Sequence, residues 1–384
     1  MGDWPAGFLW GAATSAHQTE GDNRNSDWWS FEQAGLHFVP EASGAAVDSY
    51  RRWQQDMDLL AGAGFSDYRF SIEWARIEPS RGELSATALE HYGAMVRGAL
   101  ARGLRPLVTL HHFTHPLWFH EAGGWLAPDA VAAFCRYVEA VLPLLEGVER
   151  VCTINEPNIL AILPALLAGG DTHGLPAPDL ATGTVLIEAH HAVRELLRER
   201  APHLRVGWSV ACQSFEPEPG AEDVCALLAH DREGRYLEAA RGDAWIGVQS
   251  YTRTRVGTEG PLPPPEGARL TLTGWEYAPR ALGAAVRTAA RVTGVPVVVT
   301  ENGLATDDDA LRRAYTAEAL AALRDAMAHG VDVRGYFHWS LLDNYEWGRF
   351  APTFGLVAVD RTTFARHPKP SLSWLGALGP RPPH

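Results

Sequence analysis

The segment VPVVVTEN, residues 295–302, is almost continuous in valine and closes on two polar groups, Glu301 and Asn302. A run so apolar has no polar face to offer water, so it suits a strand buried on both sides, as a parallel sheet sheathed in helices requires. Seven other short apolar runs ending in polar or aromatic residues recur along the chain. They are FLWGAATSA (8–16), DYRFSIEW (67–74), RPLVTLHHF (105–113), ERVCTINE (149–156), LRVGWSVAC (204–212), AWIGVQSY (244–251) and VRGYFHWS (333–340). Helical patterns fill the intervals. Between the first two runs, Val47, Tyr50, Trp53, Met57 and Leu60 fall three or four apart and give one apolar stripe. Comparable segments cover 84–101, 128–145, 185–199, 279–293 and 315–329, several closed by a glycine at or just past the end, as at Gly103, Gly294 and Gly330.

Eight strands alternating with helices imply either a closed barrel or a doubly wound open sheet. An open sheet gathers its functional residues at one switch point, on two neighbouring strand ends. Here residues with chemical potential stand at the ends of the first, second, third, fourth, sixth, seventh and eighth runs, which only a closed barrel brings to one place. The expected fold is therefore α/β, a single (β/α)8 TIM barrel domain over residues 1–384, with a flexible tail from about residue 379. The Pro-rich PLPPPEG (261–267), the acidic stretch Asp307 to Asp309 and the final GPRPPH (379–384) read as solvated loop, loop and frayed end.

Composition narrows the function. With 33 Lys plus Arg against 46 Asp plus Glu, the net charge of −13 repels nucleic acid and anionic membrane surfaces. No basic start followed by a long apolar run opens the chain, and no stretch of about 18 apolar residues occurs, so neither a signal peptide nor a membrane span is expected. Cys135, Cys152, Cys212 and Cys225 are widely spaced, without a C-x-x-C pair, and read as free thiols in a reducing cytoplasm. The 14 tryptophans suit the apolar faces of sugars as well as they suit a core.

Glu156 ends TINE and Glu301 lies next to the end of VVVTEN, each at the face of the barrel where catalysis is expected. Either alone could be a helix cap or an arginine partner. As a pair on strands three apart, they can flank a glycosidic bond, one giving a proton to the leaving oxygen while the other attacks the anomeric carbon, with their carboxyls about 5 to 5.5 Å apart. The segments FLWGAATSAHQTEG, YRFSIEWARI, TLHHFTHP, TINEPN, TENG and WSLLDNYEW, in this order along nearly the whole chain, resemble the signatures of glycoside hydrolase family one, the β-glucosidase family. That resemblance implies Glu156 as acid/base, Glu301 as nucleophile, and a retaining reaction through a glycosyl-enzyme intermediate. It also nominates Gln18, His112, Asn155, Trp339, Glu346 and Trp347 for sugar binding. A terminal β-glucoside is the implied substrate, with galactoside and fucoside tolerated and no cofactor or metal needed.

Local chemistry agrees. The amide of Asn155 can bond a sugar 2-hydroxyl, a contact that strengthens as the transition state develops. Arg69 and Tyr251 can each favour the charged form of Glu301, so a lowered nucleophile pKa beside a raised acid pKa is the expected asymmetry. Gln18 offers a donor and an acceptor, Glu346 accepts from two hydroxyls, His112 does either, Trp339 gives a flat floor, Trp347 adds an indole N–H, and Phe354 is expected to wall the same pocket.

Three other readings are weaker. The cluster His111, His112, His115, His120 and Glu121 raises a metal-dependent hydrolase, but adjacent strand residues point to opposite faces and no H-x-x-x-H pair falls on a predicted helix. A non-catalytic sugar-binding barrel would be favoured by loss of either carboxylate, and both are present. A phosphorylated sugar lacks a Lys or Ser cluster after Trp347, where only Arg349 follows. Two departures from the family pattern remain: Gln249 and Ser250 stand where most members have Asn and many have Tyr, and the loops after Glu156 and after the fifth run are short. Short loops there predict an open, undiscriminating aglycone side.

Overall fold

The computed structural model describes residues 4–169 and 176–380. Each of the eight apolar runs forms a strand: β1 (Leu9–Ala13), β2 (Asp67–Ser71), β3 (Arg105–His111), β4 (Arg150–Asn155), β5 (Arg205–Ala211), β6 (Trp245–Gln249), β7 (Val297–Asn302) and β8 (Val333–Trp339). All neighbours pair parallel, and β8 returns to β1 with Leu9 opposite Gly335 and Ala13 opposite Trp339, which closes the barrel.

Side-chain alternation splits the apolar residues between two cores. Leu9, Ala13, Leu107, Cys152, Trp245, Val298 and Phe337 fill the barrel interior. Their strand neighbours Trp10, Val108, Val151, Val206, Ile246, Val299 and Tyr336 face the helices and merge into the large outer core. The interior is tight enough that glycine is required at some positions: a Cβ on Gly247 would lie 2.3 Å from the Ser209 hydroxyl.

Helices sheathe the barrel, six of them on the segments whose periodicity predicts them. They are α1 (Ser49–Gly62), α2 (Ala86–Ala101), α3 (Ala130–Val141), α4 (Leu180–Arg200), α5 (Glu222–Ala229), α6 (Ala281–Thr293), α7 (Asp309–Ala328) and α8 (Pro370–Gly376). The crossover helix α5 has no clear stripe in its sequence. Only Cys225 of it is buried and Leu227 is 64% exposed, so the periodic signal that reveals the other helices is missing. The acidic stretch at 307–309 is a helix start: the Asp308 side chain accepts from the N–H groups of Ala310 and Leu311, and Asp309 begins α7 and pairs with Arg312. Around the end of α8, Trp4 and Trp10 donate to the carbonyls of Leu378 and Leu375. Of the expected tail, Gly379 is held by a hydrogen bond to Gly376 and packs against Trp10, while 381–384 lie outside the described residues. Among the described residues no helix is long and apolar enough to cross a membrane.

Two irregularities in the ladder aim the functional side chains. On β4, Cys152 faces the barrel interior, Thr153 faces outward to His190 of α4, and Ile154 joins the outer core. The β4–β5 register slips between Cys152 and Asn155, and this extra residue turns Asn155 inward. On β7, Val298 points in and Val299 out, so unbroken alternation would send Glu301 outward. A register shift between Val299 and Glu301 restores it to the interior, opposite Gln249. Bulges of this kind re-aim a side chain at the cost of a local break in pairing.

Candidate active site

The strand ends converge on a pocket of about 220 Å³. Gln18 comes from the segment after β1, His112 from the end of β3, Glu156 from the end of β4, Gln249 and Tyr251 from β6 and the residues after it, and Glu301 from β7. Trp339 ends β8, and Glu346, Trp347 and Phe354 follow on the next loop. Nine expected site residues thus share one cavity: Gln18, His112, Glu156, Tyr251, Glu301, Trp339, Glu346, Trp347 and Phe354. Arg69 and Asn155 are fully buried beneath it. Arg69 is in the middle of β2, not at its end as its run suggested, and its side chain reaches across the barrel interior.

Glu301 is the most heavily hydrogen-bonded carboxylate of the pocket. Its Oε1 accepts from Arg69 Nη1 at 2.5 Å and from Gln249 Nε2 at 2.7 Å, and its Oε2 accepts from Tyr251 at 2.5 Å. Tyr251 is itself fixed, since its carbonyl accepts from the Tyr315 hydroxyl at 2.6 Å. Among the described residues, no donor reaches the Glu156 carboxyl. Burial, with the Glu301 charge as the next cause, pushes Glu156 well above the ordinary carboxylate range. The expected lowering of Glu301 does not occur: burial raises it too, because the whole pocket is poorly solvated, and Arg69 and Tyr251 pull it only part of the way back. The asymmetry is therefore relative. The carboxyl with three donors is the more acidic, and the one with none holds its proton.

A second polar cluster faces this pair. Gln18 Nε2 bonds Asn344 at 3.0 Å, the Tyr345 carbonyl at 2.9 Å and Glu346 Oε2 at 3.3 Å, while its own Oε1 accepts from Ser15 at 2.7 Å. Trp339 donates its indole N–H to Glu346 Oε1 at 3.0 Å. Burial pushes Glu346 up to about 8, with Trp339 opposing. Asn155 is held on both sides, its Oδ1 accepting from Arg69 at 2.5 Å and Gln249 at 2.8 Å and its Nδ2 lying 3.2 Å from His112 Nε2. The buried His112 Nδ1 has no partner among the described residues, which leaves one ring nitrogen for a ligand. His111, next in sequence, points the other way into an aromatic nest with Trp125 and Phe134, as strand alternation requires.

Three pocket residues hold left-handed backbone: Phe113 at φ 67°, Glu156 at φ 45° and Trp347 at φ 47°. Such a conformation costs a non-glycine residue about 1–3 kcal/mol and collects at functional sites. Sequence reasoning missed Phe113, Ile159, Cys212, Gln213, Thr252 and Trp275 on the pocket wall. Phe113 and Cys212 close runs already read as strands, so their position was a usable signal. Trp275 is 41% exposed on a turn distant from any strand end and carries no such signal.

A closed parallel barrel with two glutamates facing one cavity, one bonded by three donors and one by none of the described residues, has the arrangement of a glycoside hydrolase. The family model for Glycosyl hydrolase family 1 matches residues 1–256 and 264–380, and the chain belongs to that family. It is 32% identical to thermostable beta-glucosidase B of Thermobispora bispora over 97% of this chain and 89% of that protein. Among solved structures it resembles beta-glycosidase BGL167, at 41% identity and a TM-score of 0.90, covering 99% of this chain and 100% of that one. A beta-glycosidase from Pyrococcus horikoshii aligns at 34% identity with a TM-score of 0.90, covering 98% of this chain and 94% of that one.

Proposed function

We propose that this protein is a retaining β-glycosidase, acting on terminal non-reducing β-D-glucosides and accepting β-D-galactosides and β-D-fucosides. The observation that carries the reading is the contrast between Glu301, which accepts from Arg69, Gln249 and Tyr251, and Glu156, which accepts from none of the described residues. Glu301 attacks the anomeric carbon while Glu156 gives its proton to the departing glycosidic oxygen, so the leaving group departs as a neutral alcohol and the sugar stays esterified to Glu301. Glu156, now ionised, takes a proton from water as that water attacks the same carbon. The ester breaks, Glu301 is regenerated, and two inversions give net retention.

The glycone is held by Gln18, His112, Asn155, Glu346 and Trp347, with Trp339 as its floor and Phe354 as a wall. Galactose is accepted because Gln18 and Glu346 can each donate or accept at neighbouring hydroxyls, Glu346 being partly protonated near neutral pH. A phosphorylated sugar is disfavoured, since among the described residues no Lys or Arg lines the pocket and Arg349 is exposed outside it. We read the whole chain as one catalytic domain, supported by a barrel that uses strands from residue 9 to residue 339. Free Cys135, Cys152, Cys212 and Cys225 support a reducing, cytoplasmic setting.

An activated 2-deoxy-2-fluoro-β-glucoside tests the assignment. The fluorine slows both steps, the good leaving group rescues the first, and the protein gains one sugar mass on Glu301. A labelled peptide lacking Glu301, or full turnover of an aryl β-glucoside by Glu301→Ala, overturns the assignment.

A further inference from the structure

Beside the sugar pocket, the segment following β1 and the segment following β3 are zipped together. Asp27 N–H donates to the His115 carbonyl at 3.0 Å, His115 N–H donates to Asp27 Oδ1 at 3.0 Å, and Leu117 N–H donates to the Asn25 carbonyl at 2.7 Å. This fixes Asp27 against His115 and uses only one carboxylate oxygen. Among the described residues, the buried Asp27 Oδ2 has no hydrogen-bond partner, and neither does either ring nitrogen of His115. Leaving such buried groups unpaired is costly, and a bound ligand would satisfy them.

We propose that Asp27, His115 and His120 form a binding site for one divalent transition-metal ion of the zinc class, separate from the sugar pocket. One donor atom from each residue lies within 4.8 Å of the others. His115 Nε2 and Asp27 Oδ2 stand 3.3 Å apart, without hydrogen-bond geometry. Tetrahedral zinc with bonds of about 2.0–2.1 Å needs ligand atoms about 3.3 Å from one another, so this pair already has the spacing of two ligands on one ion. Two imidazoles and a carboxylate suit zinc chemically. His120, stacked over His115 at 6.0 Å between ring centroids, is only half-buried and gives a water access to the fourth position.

The site is a staple for the pocket wall. Asp27 begins the helix Asp27–Ala34, whose Trp28 packs on pocket residue Trp347 at 4.8 Å, and His115 follows pocket residue His112 by one turn of loop. An ion here ties both segments together and takes no part in glycosyl transfer.

The test is a titration of the full-length protein with zinc chloride after treatment with a chelator and its removal, read by calorimetry and by thermal melting. We expect uptake of one equivalent and a rise in Tm of several degrees, since an ion binding only the folded state stabilises it by mass action. His120→Ala and His120→Gln should melt as the zinc-free protein does and lose both the uptake and the rise. His230→Ala, which removes an exposed histidine elsewhere, should keep both. Cobalt in place of zinc should give the visible absorption of a tetrahedral site in the parent and not in the His120 variants. Absence of stoichiometric uptake by the parent, or equal uptake by the His120 variants, overturns the proposal.

Discussion

Gln249 and Glu301 are register partners on neighbouring strands, and the Gln249 side-chain amide reaches across to within 2.7 Å of Glu301 Oε1. The family resemblance leads to an expectation of the shorter Asn at this position. The extra methylene carries Nε2 far enough to serve Glu301 and Asn155 together, at 2.7 and 2.8 Å, and leaves its buried Oε1 without a partner among the described residues. With Glu301 as the proposed nucleophile, Gln249 is expected to act as its positioning residue. Gln249→Ala removes a donor to a charged acceptor, an interaction worth about 1.5–3 kcal/mol, so kcat/KM for an aryl β-glucoside should fall about 10- to 100-fold. The acid limb of the pH profile should move upward, because a donor to the ionised form is lost. An unmoved acid limb would reduce Gln249 to a packing role.

Tyr251→Phe tests the other oxygen. The ring is kept and only the hydroxyl that lies 2.5 Å from Glu301 Oε2 is lost. The expected loss in kcat is again about 10- to 100-fold, with the acid limb shifted in the same direction as for Gln249→Ala. Thermal stability should fall modestly, because the buried Glu301 Oε2 is left without its donor. A loss confined to KM would place Tyr251 on the substrate instead of on the nucleophile.

Glu156 carries its raised pKa through burial first and the Glu301 charge second. Replacing Glu301 with Gln removes the like charge, so the Glu156 carboxyl should titrate at lower pH in Glu301→Gln than in the parent, as followed by carboxyl infrared bands. The same shift should accompany formation of the glycosyl-enzyme, in which Glu301 is esterified and neutral. That sign is what the second step requires, since Glu156 must then be ionised to act as a base. An unchanged Glu156 titration in Glu301→Gln would show that the two carboxyls do not interact.

These residues also mark where the sequence was legible and where it was not. All eight strands and six of the crossover helices were readable, because a parallel barrel demands uninterrupted apolar runs and its helices need a single stripe. The crossover helix α5 escaped because it buries little more than Cys225. Glu156 and Glu301 were recognisable at strand ends, yet their inward orientation depends on the β4 and β7 bulges and on the left-handed backbone of Glu156. Periodicity carries no record of such breaks. The reach of Arg69 across the interior was half visible: the sequence suggested its partner, and only the closed barrel brings mid-strand Arg69 under the ends of β4 and β7. The pKa of Glu301 was misjudged because donors can be guessed from residue types, whereas desolvation depends on how completely the pocket closes.

Glu346 shows what the pocket costs the fold. Its folded-state value of about 8 lies above the ordinary 4.5, so the protonated form is favoured by folding. The sign follows: stability linked to Glu346 is fully present below about pH 4.5 and is lost as the pH rises toward 8. Glu346→Gln keeps the shape and removes the titration, so its Tm should exceed that of the parent by a few degrees at pH 9 and match it near pH 4. The variant should also bind glucosides more weakly, because Gln cannot accept from two hydroxyls with both of its polar atoms. Equal Tm differences at both pH values would show that Glu346 ionises freely and that the carboxylate is solvated by the open mouth of the pocket.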